Sequence, residues 1–380
     1  MEGWLEQMLN FKERGINMAD VLYSDVKKDQ MTPKERDAAI ADHKPYDRIP
    51  CSLFIGEHSA KLIGSKVSDL HLKLDKMLEA QIAARKVYES ESAGVGPGLQ
   101  GLAEAIGSKV AFPDYNTPYI SDFAVKEFSD IDKLEVIDPL KAGRLPLLLE
   151  GLKRIKEALG QEVNISTGVA GPFTTAANLR GTDILLKDLY RAPEFAHRLL
   201  RLATDSTIAY VKEAAGIGIT ISIAEPTASG TLIGETHFEK FALPYLKELT
   251  DSIIEYSGKA PSLHICGNTK KIWNFMADSG ASSLSLDDAI DLEEAKHAVG
   301  DRVKLIGNVR PTATMYLGTP EDVDRNAKEC LTKAYDNPKG YVLALGCGLP
   351  ADTPPENIHA LLHAARKYGQ YPVNPELFSS

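Results

Sequence analysis

Cysteine is scarce in this 380-residue sequence: there are four, Cys51, Cys266, Cys330 and Cys347. That is too few for a disulfide scaffold of this length and points to reduced thiols in a cytoplasmic protein. No apolar run reaches the ~18 residues that a membrane span needs. The opening Met1-Glu2-Gly3-Trp4 is too acidic and too poor in apolar residues to read as a signal peptide. Positive charge is in deficit, with a formal net charge of −10, so nothing supports binding to nucleic acid through phosphate neutralisation. The densest basic stretch, Lys270-Lys271, stands beside Ile272 and Trp273 and reads as the solvated side of a helix start. A Gly-x-Ser-x-Gly elbow, a phosphate-binding P-loop and a fixed-period repeat are all missing, which removes serine hydrolases of that type, P-loop enzymes and solenoids.

What is present is an ordinary globular composition, 43% hydrophobic and 25% charged, enough to bury a core. The length fits two domains of about 150 residues or one large barrel. Short apolar runs at 49–55, 163–169, 219–224, 262–266, 283–286, 303–307 and 342–346 read as strands, with a weaker run at 92–95. Amphipathic helical stretches at 72–88, 147–159, 192–215, 238–256 and 355–368 lie between them. Strand–helix alternation over some 300 residues means parallel strands buried under helices, and eight such units predict a (β/α)8 TIM barrel over 46–375. A doubly wound open sheet is the competing architecture. Residues 1–45 read as a helical extension in which Thr32-Pro33-Lys34-Glu35 supplies a cap, a first-turn proline and an N3 glutamate.

Gly96-Pro97-Gly98-Leu99-Gln100-Gly101 matches the dinucleotide fingerprint in form, but the polar Glu89-Ser90-Glu91 and a helix precede it, so a structural turn is the expected role. His264-Ile265-Cys266-Gly267 is more informative. Residues two apart on a strand share a face, and with Leu263 and Ile265 turned to the helices, His264 and Cys266 aim inward at the barrel mouth. Cys347, also followed by glycine, ends the last strand in the same way. Imidazole plus two thiolates is a zinc donor set, and three protein ligands with one open position is the catalytic arrangement. Two small buried cysteines and a hydrogen-bonded core histidine form the bland alternative; the matched strand ends favour metal. Cys51 and Cys330 read as packing residues. Other strand ends add polar groups to the same rim, where barrel enzymes build their sites. Glu225 is a candidate fourth ligand or acid/base residue, or else a loop cap. Asn268, Asp287 and Asn308 are candidates to hold substrate, and Asp287 and Asp288 equally suit a helix cap.

Taken together, His264-Ile-Cys266-Gly-Asn268, Gly346-Cys347-Gly-Leu-Pro350, Gly307-Asn308, Gly318-Thr-Pro-Glu-Asp322, Met31-Thr-Pro-Lys-Glu-Arg36 and Asp47-Arg48-Ile-Pro50 resemble the uroporphyrinogen decarboxylase superfamily, in its zinc-dependent cobamide methyltransferase branch. The resemblance implies a barrel whose zinc is held by His264, Cys266 and Cys347 and works with a corrinoid cofactor on a partner protein. One subtype methylates a thiol such as coenzyme M from methyl-cobalt; the other moves a methyl group from an ether, amine or thioether to cobalt(I). The decarboxylase branch grips porphyrin carboxylates with an arginine-rich loop after the first strand, but here Cys51-Ser-Leu-Phe-Ile-Gly-Glu-His58 has no arginine. The segment before Met31 and Glu225 incline the expectation to an O-demethylase component acting on a methoxyarene. A coenzyme M type thiol acceptor is the alternative, and decarboxylation is disfavoured.

Overall fold

A computed structural model describes residues 26–378. The helical character expected before Val26 lies outside the described residues. Among those described, eight parallel strands form the central sheet: β1 (Cys51–Ser52), β2 (Ser92–Ala93), β5 (Asn164–Ala170), β6 (Thr220–Ala224), β7 (Ser262–Ile265), β8 (Ser283–Leu286), β9 (Lys304–Val309) and β10 (Tyr341–Leu345). Hydrogen-bonded neighbours run β1-β10-β9-β8-β7-β6-β5-β2. Every expected strand is present, and the competing open sheet is excluded because the two ends of this row curl back onto one another as a (β/α)8 barrel.

The alternation that suggested strands has a direct cause. On one face Ile221, Ile223, Leu263, Ile265, Leu284 and Leu305 are at most 5% exposed, pressed against the surrounding helices. A fully buried leucine or isoleucine contributes about 1.5–3 kcal/mol relative to an exposed one. These residues clamp the helix layer, which includes Leu145–Leu159, Pro193–Gly216, Leu243–Ser257 and Pro320–Ala334.

Among the described residues no ladder pair joins β1 to β2. The gap is closed by side chains. The Glu91 carboxylate accepts from the Cys51 backbone N–H at 3.1 Å and lies 2.6 Å from the Arg48 guanidinium and 3.4 Å from that of Arg36. Arg36 also pairs with Asp47 at 2.6 Å, Arg48 with Asp29 at 2.7 Å, and Arg366 with Asp29 at 3.2 Å and with Glu89. Arg36 stands on the helix Pro33–Ala41, which has the anticipated capping box from Thr32 to Glu35. That helix covers the end of the barrel where the strands begin: Lys34 reaches the Gly160 carbonyl at 2.7 Å and Asp37 accepts from the Asn164 amide at 2.5 Å.

The sequence reading did not anticipate the antiparallel hairpin of β3 (Lys109–Ala111) and β4 (Tyr119–Asp122). Its strands are short and hold no fully buried residue, so they lack the apolar run that marks a barrel strand.

Candidate metal centre and active site

β7 and β10 are separated in the sheet by β8 and β9. Side chains from such distant strands touch only across the interior, so contact between them fixes the inward direction. His264 Nε2 lies 3.1 Å from the Cys266 sulfur, and that sulfur lies 3.8 Å from the sulfur of Cys347. The three donor atoms all fall within 4.8 Å of one another, and each residue is half-buried.

The histidine's orientation is set from behind. Nδ1 meets the Ser285 carbonyl and the Ser285 hydroxyl, both at 3.1 Å. A carbonyl only accepts, so Nδ1 is the protonated nitrogen and Nε2 presents its lone pair to the thiols. A metal-ligating histidine is fixed in this way. Cys347 ionises more readily than a free thiol, first because Cys266 donates a hydrogen bond to it; Cys266 is pushed up, since it donates to Cys347 and its own ionisation would set a second negative charge beside the first. The Asp287 carboxylate receives the Gly267 N–H at 2.8 Å, pinning the turn that follows Cys266. Gly346 precedes Cys347 for a steric reason: a Cβ there would come within 2.4 Å of the Asp288 nitrogen.

The remaining sequence candidates are placed as follows. Glu225 is fully buried and accepts from the N–H groups of Phe173 at 3.0 Å and Thr174 at 2.5 Å, at the start of the helix Pro172–Arg180. Among the described residues it is not in the group with the three donors. Burial pushes its carboxyl up to about 7, against the lowering effect of those hydrogen bonds. Asn308 is buried, its amide donating to the carbonyls of Asp287 at 2.9 Å and Ile290 at 2.7 Å, so it ties the loop after β8 to β9. Asp287 spends its second oxygen on the Ala289 N–H at 2.9 Å. Asn268 is exposed on the rim and accepts from the Lys270 N–H at 3.1 Å.

Cys51 and Cys330 are both buried, and burial pushes their thiols up to about 12 and about 11, the behaviour of packing residues. The glycine-rich turn does follow a strand, β2, and leads into the six-residue helix Gly101–Ile106, unlike the context expected for it. Its first glycine serves contact with β5, since a Cβ on Gly96 would lie 2.6 Å from the Thr167 hydroxyl. Sequence reasoning passed over Ser285, though the Ser283-Leu284-Ser285-Leu286 alternation beside β7 marks it as inward-facing.

Fold and site together define a class: a (β/α)8 enzyme with an imidazole and two thiols gathered at the mouth where the strands end. The chain belongs to the uroporphyrinogen decarboxylase (URO-D) family, which it matches over residues 32–368. The methylcobamide:CoM methyltransferase MtbA of Methanosarcina mazei is 31% identical over 344 residues, spanning 89% of this chain and 99% of that protein. A solved methyltransferase structure from Methanosarcina mazei superposes with a TM-score of 0.80 at 29% identity, covering 88% of this chain and 98% of that one. The uroporphyrinogen decarboxylase of Myxococcus xanthus is 29% identical over 273 residues, 70% of this chain and 75% of its own. Within the family this chain is a methyltransferase of the cobamide branch. Among the described residues no helix is long and apolar enough to cross a membrane.

Proposed function

We propose that this enzyme transfers a methyl group from a corrinoid, presented by a partner protein, to a small thiol of the coenzyme M type, at a zinc ion held by His264, Cys266 and Cys347. The observation behind this reading is the three-donor group at 4.8 Å or closer, with His264 Nε2 already turned to the sulfurs, in a chain that aligns with a methylcobamide:CoM methyltransferase over 99% of that protein. The donor set fits zinc in type and number and leaves a fourth position for a substrate atom.

Bound there, zinc supplies Lewis-acid chemistry that keeps a thiol in its nucleophilic thiolate form near neutral pH. The chain's own residues do the positioning. Ser285 fixes the imidazole, Asp287 fixes the backbone after Cys266, and Glu225 acts as a positioning residue that binds the loop after β6 to the helix start after β5. The partner's methyl-cobalt(III) corrinoid would supply the methyl group: a carbon–sulfur bond to the acceptor would form as the carbon–cobalt bond broke, its electron pair staying with the metal as cobalt(I).

The methoxyarene donor expected from the sequence finds no support among these relatives. Of its two motives, Glu225 has both carboxylate oxygens occupied by backbone N–H groups, and most of the segment before Met31 lies outside the described residues. The test is direct. Purified zinc-loaded enzyme is given methylcobalamin with coenzyme M, and separately cobalt(I) corrinoid with methoxyarenes. Methylated thiol in the first mixture with none of the second reaction is expected; the reverse pattern restores the ether reading.

A further inference from the structure

Two of the four thiols face each other where the strands end. The sulfurs of Cys266 and Cys347 are 3.8 Å apart although the residues stand 81 positions apart in the sequence, on strands that β8 and β9 separate in the sheet. Both residues are half-buried, whereas Cys51 and Cys330 are buried. A small solute therefore reaches the first pair and not the others. An accessible thiol with a second sulfur beside it is the arrangement in which cysteine oxidises reversibly, because the neighbour captures the first oxidation product before it goes further.

A disulfide holds its sulfurs at about 2.05 Å, so from 3.8 Å the pair has roughly 1.8 Å to close. Staggered rotamers differ by about 120°, and a change from one to the next carries a cysteine sulfur roughly 3 Å. The two ends differ in freedom. Cys266 is followed by a turn that the Asp287 carboxylate holds through the Gly267 N–H at 2.8 Å. Cys347 is followed by Gly348, which is exposed and where a Cβ would meet nothing within 4 Å. The closing movement therefore falls on Cys347.

We propose that Cys266 and Cys347 are a modification site: a hydroperoxide joins them in a reversible disulfide, which switches the centre off by consuming two of its three donors. The switching rests on the zinc reading; the bond itself does not. One sulfur, as thiolate, attacks the outer oxygen of the hydroperoxide, the oxygen–oxygen bond breaks, and the alkoxide leaves and takes up a proton to become the alcohol. The second sulfur then attacks the sulfenic acid so formed, the sulfur–oxygen bond breaks, and hydroxide leaves with the second thiol's proton as water. Two thiols are oxidised and one hydroperoxide is reduced. Of the three donors only the imidazole is left, too few to keep a zinc ion that takes three protein ligands at a catalytic centre. A dithiol reductant reverses the step.

In the test, purified zinc-loaded enzyme is titrated with hydrogen peroxide while released zinc is read with a chromogenic chelator and the cysteines are mapped by peptide mass. One zinc released for every two thiols lost is expected, with the Cys266 and Cys347 peptides joined and lighter by two hydrogens, Cys51 and Cys330 unmodified, and zinc uptake restored by dithiothreitol. Cys266→Ser is expected to give no joined pair and to let Cys347 run on to the sulfinic acid, which dithiothreitol does not reverse. Zinc loss from the wild type with both thiols still free, or with each oxidised separately to a sulfinic acid, overturns the proposal; this readout does not depend on the variant's folding. A chain that binds no zinc yet joins the same two cysteines overturns the zinc reading and supports the pairing.

Discussion

Ser285 decides which nitrogen of His264 faces the thiols, and it leaves Nε2 with its lone pair toward them, as the proposed zinc site requires. With Nδ1 satisfied twice at 3.1 Å, Nε2 has only the sulfurs and the open mouth to meet. Each of the three side chains stands on a strand end that the barrel already holds in place, so under the proposed zinc reading the fold is expected to persist without the metal, in contrast to closed structural zinc sites. Cys347→Ser is accordingly expected to lose zinc and methyl transfer while its melting temperature stays within a few degrees of wild type, checked by metal analysis beside thermal melts; a collapse of the melt would make the zinc structural. Glu225 acts differently. Its carboxylate satisfies two N–H groups that a helix start leaves without partners, so Glu225→Ala is expected to cost about 1–3 kcal/mol, read by urea unfolding, with zinc content preserved. Loss of zinc in that variant would show instead that the glutamate reaches the metal.

At the scale of elements, the weak place in the barrel is the seam between β1 and β2. Two-residue strands cannot form much of a ladder, and the barrel closes there through Glu91, which serves a backbone N–H and two guanidinium groups at once. The Arg36 and Arg48 side chains are 0% and 5% exposed. Breaking a buried pair strands the remaining charges and costs about 3–5 kcal/mol, even where the pair's net contribution is small. Glu91→Gln is therefore expected to lower the unfolding free energy by that order in urea titrations, with the methyl-transfer chemistry at the opposite end of the strands retained in the folded fraction. A shift below about 1 kcal/mol would mean that the arginines find other partners.

For the whole molecule, acid is the condition that exposes its buried titratable groups. His58 and His359 are 2% and 3% exposed, and burial pushes both down to about 4. A folded-state value below the ordinary 6.5 means that the unfolded chain binds the proton first as pH falls. The stability these groups contribute is thus complete above pH about 6.5 and is lost toward pH about 4, by roughly 3 kcal/mol each at most. Glu225, raised to about 7, runs the other way over much of that window and offsets one of them. The melting temperature is expected to fall between pH 6.5 and pH 4; a flat profile would show that the two histidines find water or a counter-charge on protonation.

The sequence by itself determined the strand–helix alternation, favoured the barrel over an open sheet, and marked His264, Cys266 and Cys347 as side chains that meet at one mouth. Each of these follows from a period: two along a strand, near four along a helix, and a polar residue where an apolar strand stops. His264 and Cys266 were legible because they are two apart on one strand, and Cys347 because its strand end repeats the pattern. Only the tertiary structure decided what depends on which strands lie side by side. It showed that Ser285 stands behind His264, that Glu225 caps a helix from the neighbouring strand, that Asn308 turns into a loop anchor, and that Arg36, Arg48, Arg366 and Glu91 meet at one seam. The physical reason is that these partners are brought together by closure of the sheet, a long-range contact that no local periodicity records.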